Sequence, residues 1–379
     1  MKIIQIGGKA GTNYFEGKVN RFFKKANLTF RLNFGVGKGN AGDTAIGTAF
    51  EYLFEQEFPK DKTYFMNCRK IFTNKDIDLI NKHDVLFISG GGLFLYDTFQ
   101  NTVSDWQWGI SKELLNKINI PIIVYSVGYN KFRKQLDFND HFNETVSKLI
   151  EKSIFFGLRN KGSCNAIKKY VDKRLHRDIK LNYCPTLLLN KKYNYKNNLN
   201  NRTVGFVVAG DRLKNRHENV DRFIKHIKKF VKYLKNRNIA TIRINHSNDK
   251  WIDKYIEFDK YIDFYKKNTR FIYSNYSKID LVVGDRGHAQ MIPFACGCKI
   301  LTPISHDKLK WFLKDMGLEK FGVEENDEEL SEKMIEGFSK LNNINWYRIQ
   351  KERIQMIYKT NRNNLEFIKQ WIQEEEVGR

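Results

Sequence analysis

The stretch Leu281-Val282-Val283-Gly284-Asp285-Arg286-Gly287-His288-Ala289, with Gly297 following it, decides how this chain is read. It begins as a buried apolar strand that stops at a glycine. A short loop then carries an arginine and a histidine two positions apart, and an apolar segment with helical spacing follows. In an α/β sheet, a loop at the carboxyl end of a strand opens onto the crevice where ligands bind. Arg286 offers a planar fork of donors suited to carboxylate or phosphate, and His288 can carry a proton near neutral pH. The same pair would also suit a salt-bridged corner, so the other strand ends must decide between the two.

The same grammar recurs on both sides of this stretch. Strands are predicted at Ile3 to Ile6, Leu32 to Val36, Val85 to Ser89, Ile122 to Ser126 and Ile154 to Leu158. Helical periodicity marks Thr44 to Glu57, Lys112 to Lys117 and Asn143 to Lys152. That alternation predicts a parallel sheet with helices on both faces. From Asn190 to Arg202 the sequence turns to Asn, Lys and Tyr, which reads as an exposed linker. The pattern then restarts with strands at Val204 to Ala209, Ala240 to Ile244, Leu281 to Val283 and Lys299 to Thr302, and a helix at Arg222 to Asn236. The expected organisation is an α/β domain over residues 1–190, a second over 203–330, and a helical segment over 331–379 that packs back on the first. Two such domains make a cleft between their carboxyl-terminal strand edges.

Composition narrows the classes. At 379 residues, with 41% hydrophobic and 14% aromatic residues, the chain has enough apolar material for two cores and is not a disordered one. No apolar run approaches the roughly 20 residues needed to span a bilayer as a helix. Met1 to Ile6 runs directly into Gly7-Gly8, too short for a signal-peptide core, and the five cysteines are odd in number and mostly scattered. Both features suit a cytoplasmic protein with reduced thiols. Cys296 and Cys298 read as packing residues, and no metal site is expected. The net charge of +23 is compatible with nucleic acid, an anionic membrane or an acidic polymer. Because the cations do not alternate with aromatics as in nucleic-acid surfaces, the charge reads as solvated helical faces, and no nucleic acid is expected.

Several strand ends carry candidate chemistry. Gly37-Lys38-Gly39-Asn40-Ala41-Gly42-Asp43-Thr44-Ala45-Ile46 opens a helix with glycines that let backbone approach an anion, and Asp43 reads equally as a catalytic carboxylate or a cap. Ser89-Gly90-Gly91-Gly92 and Ser126-Val127-Gly128-Tyr129 end the next two strands. Arg159, with Ser163 four residues on, follows another, and Cys184-Pro185 closes the first half. His306-Asp307-Lys308 follows the strand after the opening stretch, where Lys308 adds a positive charge.

Taken in order, these residues resemble the polysaccharide pyruvyl transferase family. Its Gly-Asn-x-Gly-Asp-x-Ala-Ile loop is matched by Gly39 to Ile46, its triple glycine by Gly90 to Gly92, and its Ser-x-Gly turn by Ser126 to Gly128. Arg159 to Ser163 match its Arg-Asp-x-x-Ser in part, and Arg286-Gly287-His288-Ala289, Gly297 and Lys308 match its closing set. The chain departs from the pattern at Asn160 for Asp, Cys184 for Asp, Gly287 for Leu and Lys299 for Pro, and Met1 to Ala26 reads as an extra element.

The resemblance implies two Rossmann-like, doubly wound domains in a glycosyltransferase-B-like arrangement. It also implies transfer of pyruvate from phosphoenolpyruvate, with no cofactor, onto a glycan or lipid-linked saccharide as a ketal. His288, Arg286, Asp43 and Asp285 are the expected catalytic set, with His288 the acid and either carboxylate the base. Arg159, Lys308, Asn40, Gly42, Gly91, Gly92, Ser126, Gly128 and Ser163 are the expected binding residues. A bacterial cell-surface polysaccharide built at the inner membrane face would give the basic surface a peripheral contact with anionic lipid. Two other readings stand beside this one: a nucleotide-sugar glycosyltransferase on the same fold, and a non-catalytic basic binding protein.

Overall fold

The computed structural model describes residues 2–6, 29–33, 39–57, 62–197, 202–247 and 249–377. One sheet takes β1 (Lys2–Ile6), β2 (Thr29–Asn33), β3 (Lys62–Asn67), β4 (Val85–Ser89), β5 (Ile122–Val127), β6 (Ser153–Leu158) and β7 (Ile179–Leu181), in the order β1-β3-β2-β4-β5-β6-β7. The other takes β8 (Thr203–Val207), β9 (Ala240–Asn245), β10 (Lys260–Asp263), β11 (Leu281–Gly284), β12 (Lys299–Ile304) and β13 (Gly322–Glu324), in the order β10-β9-β8-β11-β12-β13. Strand pairing is parallel in both. The second order is that of a doubly wound nucleotide-binding sheet, whose crevice opens where growth reverses, here between β8 and β11.

Central strands of such sheets are covered on both faces and so need continuous rather than alternating apolar residues. Val85-Leu86-Phe87-Ile88 of β4 and Ile122-Ile123-Val124-Tyr125 of β5 are buried throughout, which is why these runs were legible. The shorter edge strands β10 and β13 were not expected, nor was β3. The strand expected at Leu32 to Val36 is seen as far as Asn33, and Val36, Gly37 and Lys38 lie outside the described residues, as does most of Met1 to Ala26.

The helices that position the cleft are α1 (Ala41–Glu57), α2 (Lys161–Ile167), α3 (Val220–Lys235), α4 (Thr269–Tyr276), α5 (His288–Ala295), α6 (Asp307–Met316), α7 (Leu330–Asn342) and α8 (Trp346–Val377). Helix α1 starts at Ala41 rather than Thr44 and lies between the two halves. Ala41, Ala45 and Ala49, spaced four apart on one face, pack into the core of the second sheet. Phe50 packs with Phe87 and Tyr125 of the first. Small residues on the inner face let the helix approach closely enough for Ala41 N–H to bond the carbonyl of His246 at 3.0 Å.

The stretch read as a linker begins with a helical turn, Asn190–Tyr193, and the Tyr193 hydroxyl bonds Thr269 of α4 at 2.6 Å. Helix α7 joins the second core through Met334, Phe338 and Leu341. Helix α8 starts with Trp346 in that core and ends with Leu365, Ile368 and Ile372 against Phe87 and Phe155 of the first sheet. On the way Asn361 and Asn364 donate to the carbonyls of Tyr183 and Leu181 at 2.8 and 2.9 Å. The last helix thus ties both sheets together from behind the cleft. No helix among the described residues is long and apolar enough to cross a membrane.

Candidate active site

A cavity of about 270 Å³ opens between the two sheets. Asn40, Asp43, Gly91, Gly92, Arg159, Arg286, His288 and Lys308 line it, so most of the expected residues meet in one place. They arrive from the ends of β4, β6, β11 and β12 and from the start of α1.

At α1 the two readings of Asp43 separate. The cap is Asn40, whose Oδ1 accepts from Gly42 N–H at 2.8 Å, which leaves Asp43 facing the cavity from the first turn. Burial raises the Asp43 carboxyl above its usual range, although Arg69, Arg286, Lys308 and Arg159 pull the other way. Gly42 has no side chain for a steric reason: a Cβ there would overlap the His288 ring from the opposite domain.

His288 is the first residue of α5. Its Nε2 lies 3.7 Å from Cys184 Sγ, at the position where the resemblance expects aspartate. Burial, then the charges of Arg159 and Lys308, push the imidazole well below its usual value, which favours its neutral form. Lys308, in the first turn of α6, is pushed well down by burial and by Arg159 and Arg216. Its Cε lies 3.5 Å from where a Cβ on Gly287 would sit, an ordinary van der Waals contact. Nothing in the structure explains the glycine at 287.

Arg159 is only 4% exposed, and its guanidinium lies against Gly128, where any Cβ would overlap it. Its Nε and Nη2 are buried without a hydrogen-bond partner. Leaving buried guanidinium donors unpartnered costs several kcal/mol, a penalty that an anionic ligand would remove. The neighbouring Asn160 caps α2 by accepting from Ser163 N–H at 2.6 Å, a role that does not need the aspartate it replaces.

Arg286 resolves differently from Arg159. Its Nη2 bonds Asp249 at 2.8 Å and also Asp211, and these carboxylates raise its proton affinity against the effect of burial. It is therefore both a salt-bridged corner and a cavity residue. Five expected residues do not line the cavity: Gly42 and Gly128 pack against His288 and Arg159, which do, and Asp285, Ser126 and Ser163 are engaged elsewhere. Asp285 turns away, accepting from Ala209 N–H at 2.8 Å with His217 at 3.6 Å, so it is no base for a substrate in the cleft. Ser126 donates to the Tyr183 carbonyl at 2.8 Å and Ser163 accepts from Tyr129 N–H at 3.1 Å. Both serines hold strand-end loops rather than ligand.

The sequence reading missed Arg69, Gln107, Asn130, Phe132, Asp211, Arg212 and Arg216, which also line the cavity. Arg69 Nε donates to Gln107 at 2.9 Å. Asp211 is held well below the carboxylate range by Arg216, Arg286 and Arg212, despite burial. Arg212 reaches across to Asp97 with two bonds of 2.6 and 2.7 Å, closing one side of the cleft. The signal for Asp211 and its arginines was present, since they follow the β8 strand and Gly210 just as Arg286 follows β11. Six cationic side chains and two carboxylates line the walls, so the cavity is built for a small, strongly anionic ligand. Among the described residues, no cluster of His, Cys, Asp and Glu is arranged to hold a metal ion.

A family model described as polysaccharide pyruvyl transferase matches residues 40–308. No curated protein matches the chain. Among solved structures, the chain is similar to UDP-GlcNAc 2-epimerase from Neisseria meningitidis bound to UDP-GlcNAc, with TM-score 0.52, 13% identity and coverage of 84% of this chain and 96% of that one. It is also similar to a putative UDP-N-acetylglucosamine 2-epimerase from Listeria monocytogenes, with TM-score 0.51, 10% identity and coverage of 84% and 89%. These likenesses show the fold, two facing Rossmann-like domains of the glycosyltransferase-B-like kind.

Proposed function

The chain belongs to the polysaccharide pyruvyl transferase family, and from that premise we propose that its cleft transfers pyruvate from phosphoenolpyruvate to two hydroxyls of a saccharide, forming a ketal. The observation that carries this reading is Arg159, a buried guanidinium with unpartnered donors beside Lys308 and His288. Phosphoenolpyruvate brings a carboxylate and a phosphate, and Arg159, Lys308 and Arg216 complement them. Arg286, already paired with Asp211 and Asp249, orients rather than neutralises.

The chemistry follows from the charges. Burial, and after it the neighbouring cations, favour the neutral form of His288, and a bound phosphate and carboxylate offset the cationic part of that effect. The imidazolium then donates its proton to the methylene carbon, leaving a methyl group and an oxocarbenium-like centre at C2. One acceptor hydroxyl attacks C2 and gives its proton to Asp43. Phosphate leaves with the C–O electron pair and takes the proton held by Asp43, a second hydroxyl attacks C2 to close the ring, and its proton returns to His288. The protons of the two hydroxyls end on inorganic phosphate and the restored histidine. In this reading residues 203–330 supply most of the donor side and residues 1–190 the acceptor side, with Arg159 crossing over, and the helices of 331–379 hold the halves in register. The reaction belongs to the cytoplasmic side, where phosphoenolpyruvate is available.

The test is turnover with purified protein, phosphoenolpyruvate and a panel of bacterial saccharide acceptors. The reading expects inorganic phosphate release that requires both substrates, and a ketal methyl signal in the product. Transfer from a nucleotide sugar with none from phosphoenolpyruvate would replace it with glycosyl transfer, and tight anion binding without turnover on any donor would make the chain a binding protein.

A further inference from the structure

The turn between β10 and α4, with the first turn of α4, carries Tyr265, Lys266, Lys267, Arg270 and Phe271 as exposed residues; the nearest carboxylate in sequence, Asp263 at the end of β10, accepts from Tyr265 N–H at 2.8 Å and pairs with Lys250 at 3.4 Å. Tyr265 is 37% and Phe271 40% exposed, two large rings that each present part of their surface to water beside three cations, with one edge of Tyr265 against Gly39. Lys266 has a left-handed φ of 60°. Here cations and exposed aromatics do interleave, contrary to the sequence reading of the basic surface. The turn is fastened to the cleft, because Lys266 N–H donates to the carbonyl of Gly39 at 3.0 Å and the next residue, Asn40, lines the cavity.

We propose that this turn rests on the anionic surface of a lipid bilayer, with the Tyr265 and Phe271 rings at headgroup depth and Lys266, Lys267 and Arg270 facing lipid phosphates. Amphipathic rings flanked by long cationic side chains are the composition that partitions to a membrane interface. A flat stacking platform for sugars or bases needs open ring faces. Here the Lys266 ammonium sits 5.2 Å from the Tyr265 centroid and that of Lys267 sits 5.7 Å from Phe271, so the faces are shared with charge. The contact does not depend on which donor the cleft takes. Its consequence for the acceptor rests on the pyruvyl transfer reading: a saccharide anchored in the bilayer would enter beside Gly39.

Co-sedimentation of the full chain with phosphatidylcholine vesicles, and with mixed phosphatidylcholine and phosphatidylglycerol vesicles, tests this. The protein should bind the mixed vesicles. Lys267→Glu/Arg270→Glu and Tyr265→Ser/Phe271→Ser should each weaken that binding by at least about tenfold. Lys225→Glu/Lys232→Glu, an equal charge change at exposed positions of α3, should change it by less than about twofold. Failure of the chain to bind mixed vesicles overturns the proposal, as does retained binding in either turn pair or an equal loss in the α3 pair. Loss of dextran sulfate binding in the turn pairs with vesicle binding intact would assign the turn to a soluble polyanion and likewise overturn it. Phosphate release from phosphoenolpyruvate reads the reaction separately, so the two readings fail independently.

Discussion

The sulfur of Cys184 lies 3.7 Å from Nε2 of His288, which places an uncharged partner beside the histidine assigned as acid. A carboxylate there would hold the imidazole protonated, whereas a thiol leaves that task to the donor.

Cys184→Asp should therefore raise the His288 pKa, as a close opposite charge favours the imidazolium. Histidine-selective NMR titration reads it directly, with His288→Asn used for assignment. An unchanged titration would remove Cys184 from the account of the acid.

Arg159→Met should stabilise the fold while removing donor binding. It replaces a buried guanidinium with unpartnered donors by an apolar chain of similar length, a change of about 1–4 kcal/mol where buried charges have been replaced by apolar residues. Denaturant unfolding together with phosphoenolpyruvate binding checks both halves, and a destabilised variant that still bound the donor would contradict it.

Asp43 has a raised pKa through burial, so its linkage runs opposite to that of a salt-bridged carboxylate. Its contribution is fully present below the unfolded value of about 4 and is lost as pH rises through the folded value. Asp43→Asn should accordingly gain Tm relative to wild type as pH is raised from 4 to 8, and should lose turnover at every pH. A Tm difference that shrank with rising pH would reverse the assigned sign.

Gly42→Ala adds a single methyl group where the His288 ring already sits. The account expects kcat to fall by at least about a hundredfold, the scale of losing a positioned general acid, while the far-UV spectrum stays native. Full activity in this variant would show that the ring has room to move, and the close approach of the two domains would lose its meaning.

The core strands and the order of glycine-rich loops were legible in the sequence because a parallel sheet forces continuous apolar runs that end sharply at ligand loops. Arg159, Asp43, His288 and Lys308 were found by applying that rule. The same rule, applied to β8, would have reached Asp211 and Arg212. Arg69 was hidden because it follows β3, where Lys62-Thr63-Tyr64-Phe65-Met66-Asn67 mixes polar and apolar residues and did not stand out as a strand. Asp285, Ser126 and Ser163 show the opposite limit. Motif position put them at the cleft, but only the direction of each side chain, set by Ala209 N–H, the Tyr183 carbonyl and Tyr129 N–H, tells that they face away.

The most direct measurement is calorimetric titration of phosphoenolpyruvate into the full chain and into Arg159→Ala at pH 7.5. The account expects one donor bound per chain and affinity at least about a hundredfold weaker in the variant, the cost of losing a buried charge-assisted pair. No binding by the wild type, or equal binding by both proteins, would contradict the claim that this cleft is a phosphoenolpyruvate site organised around Arg159.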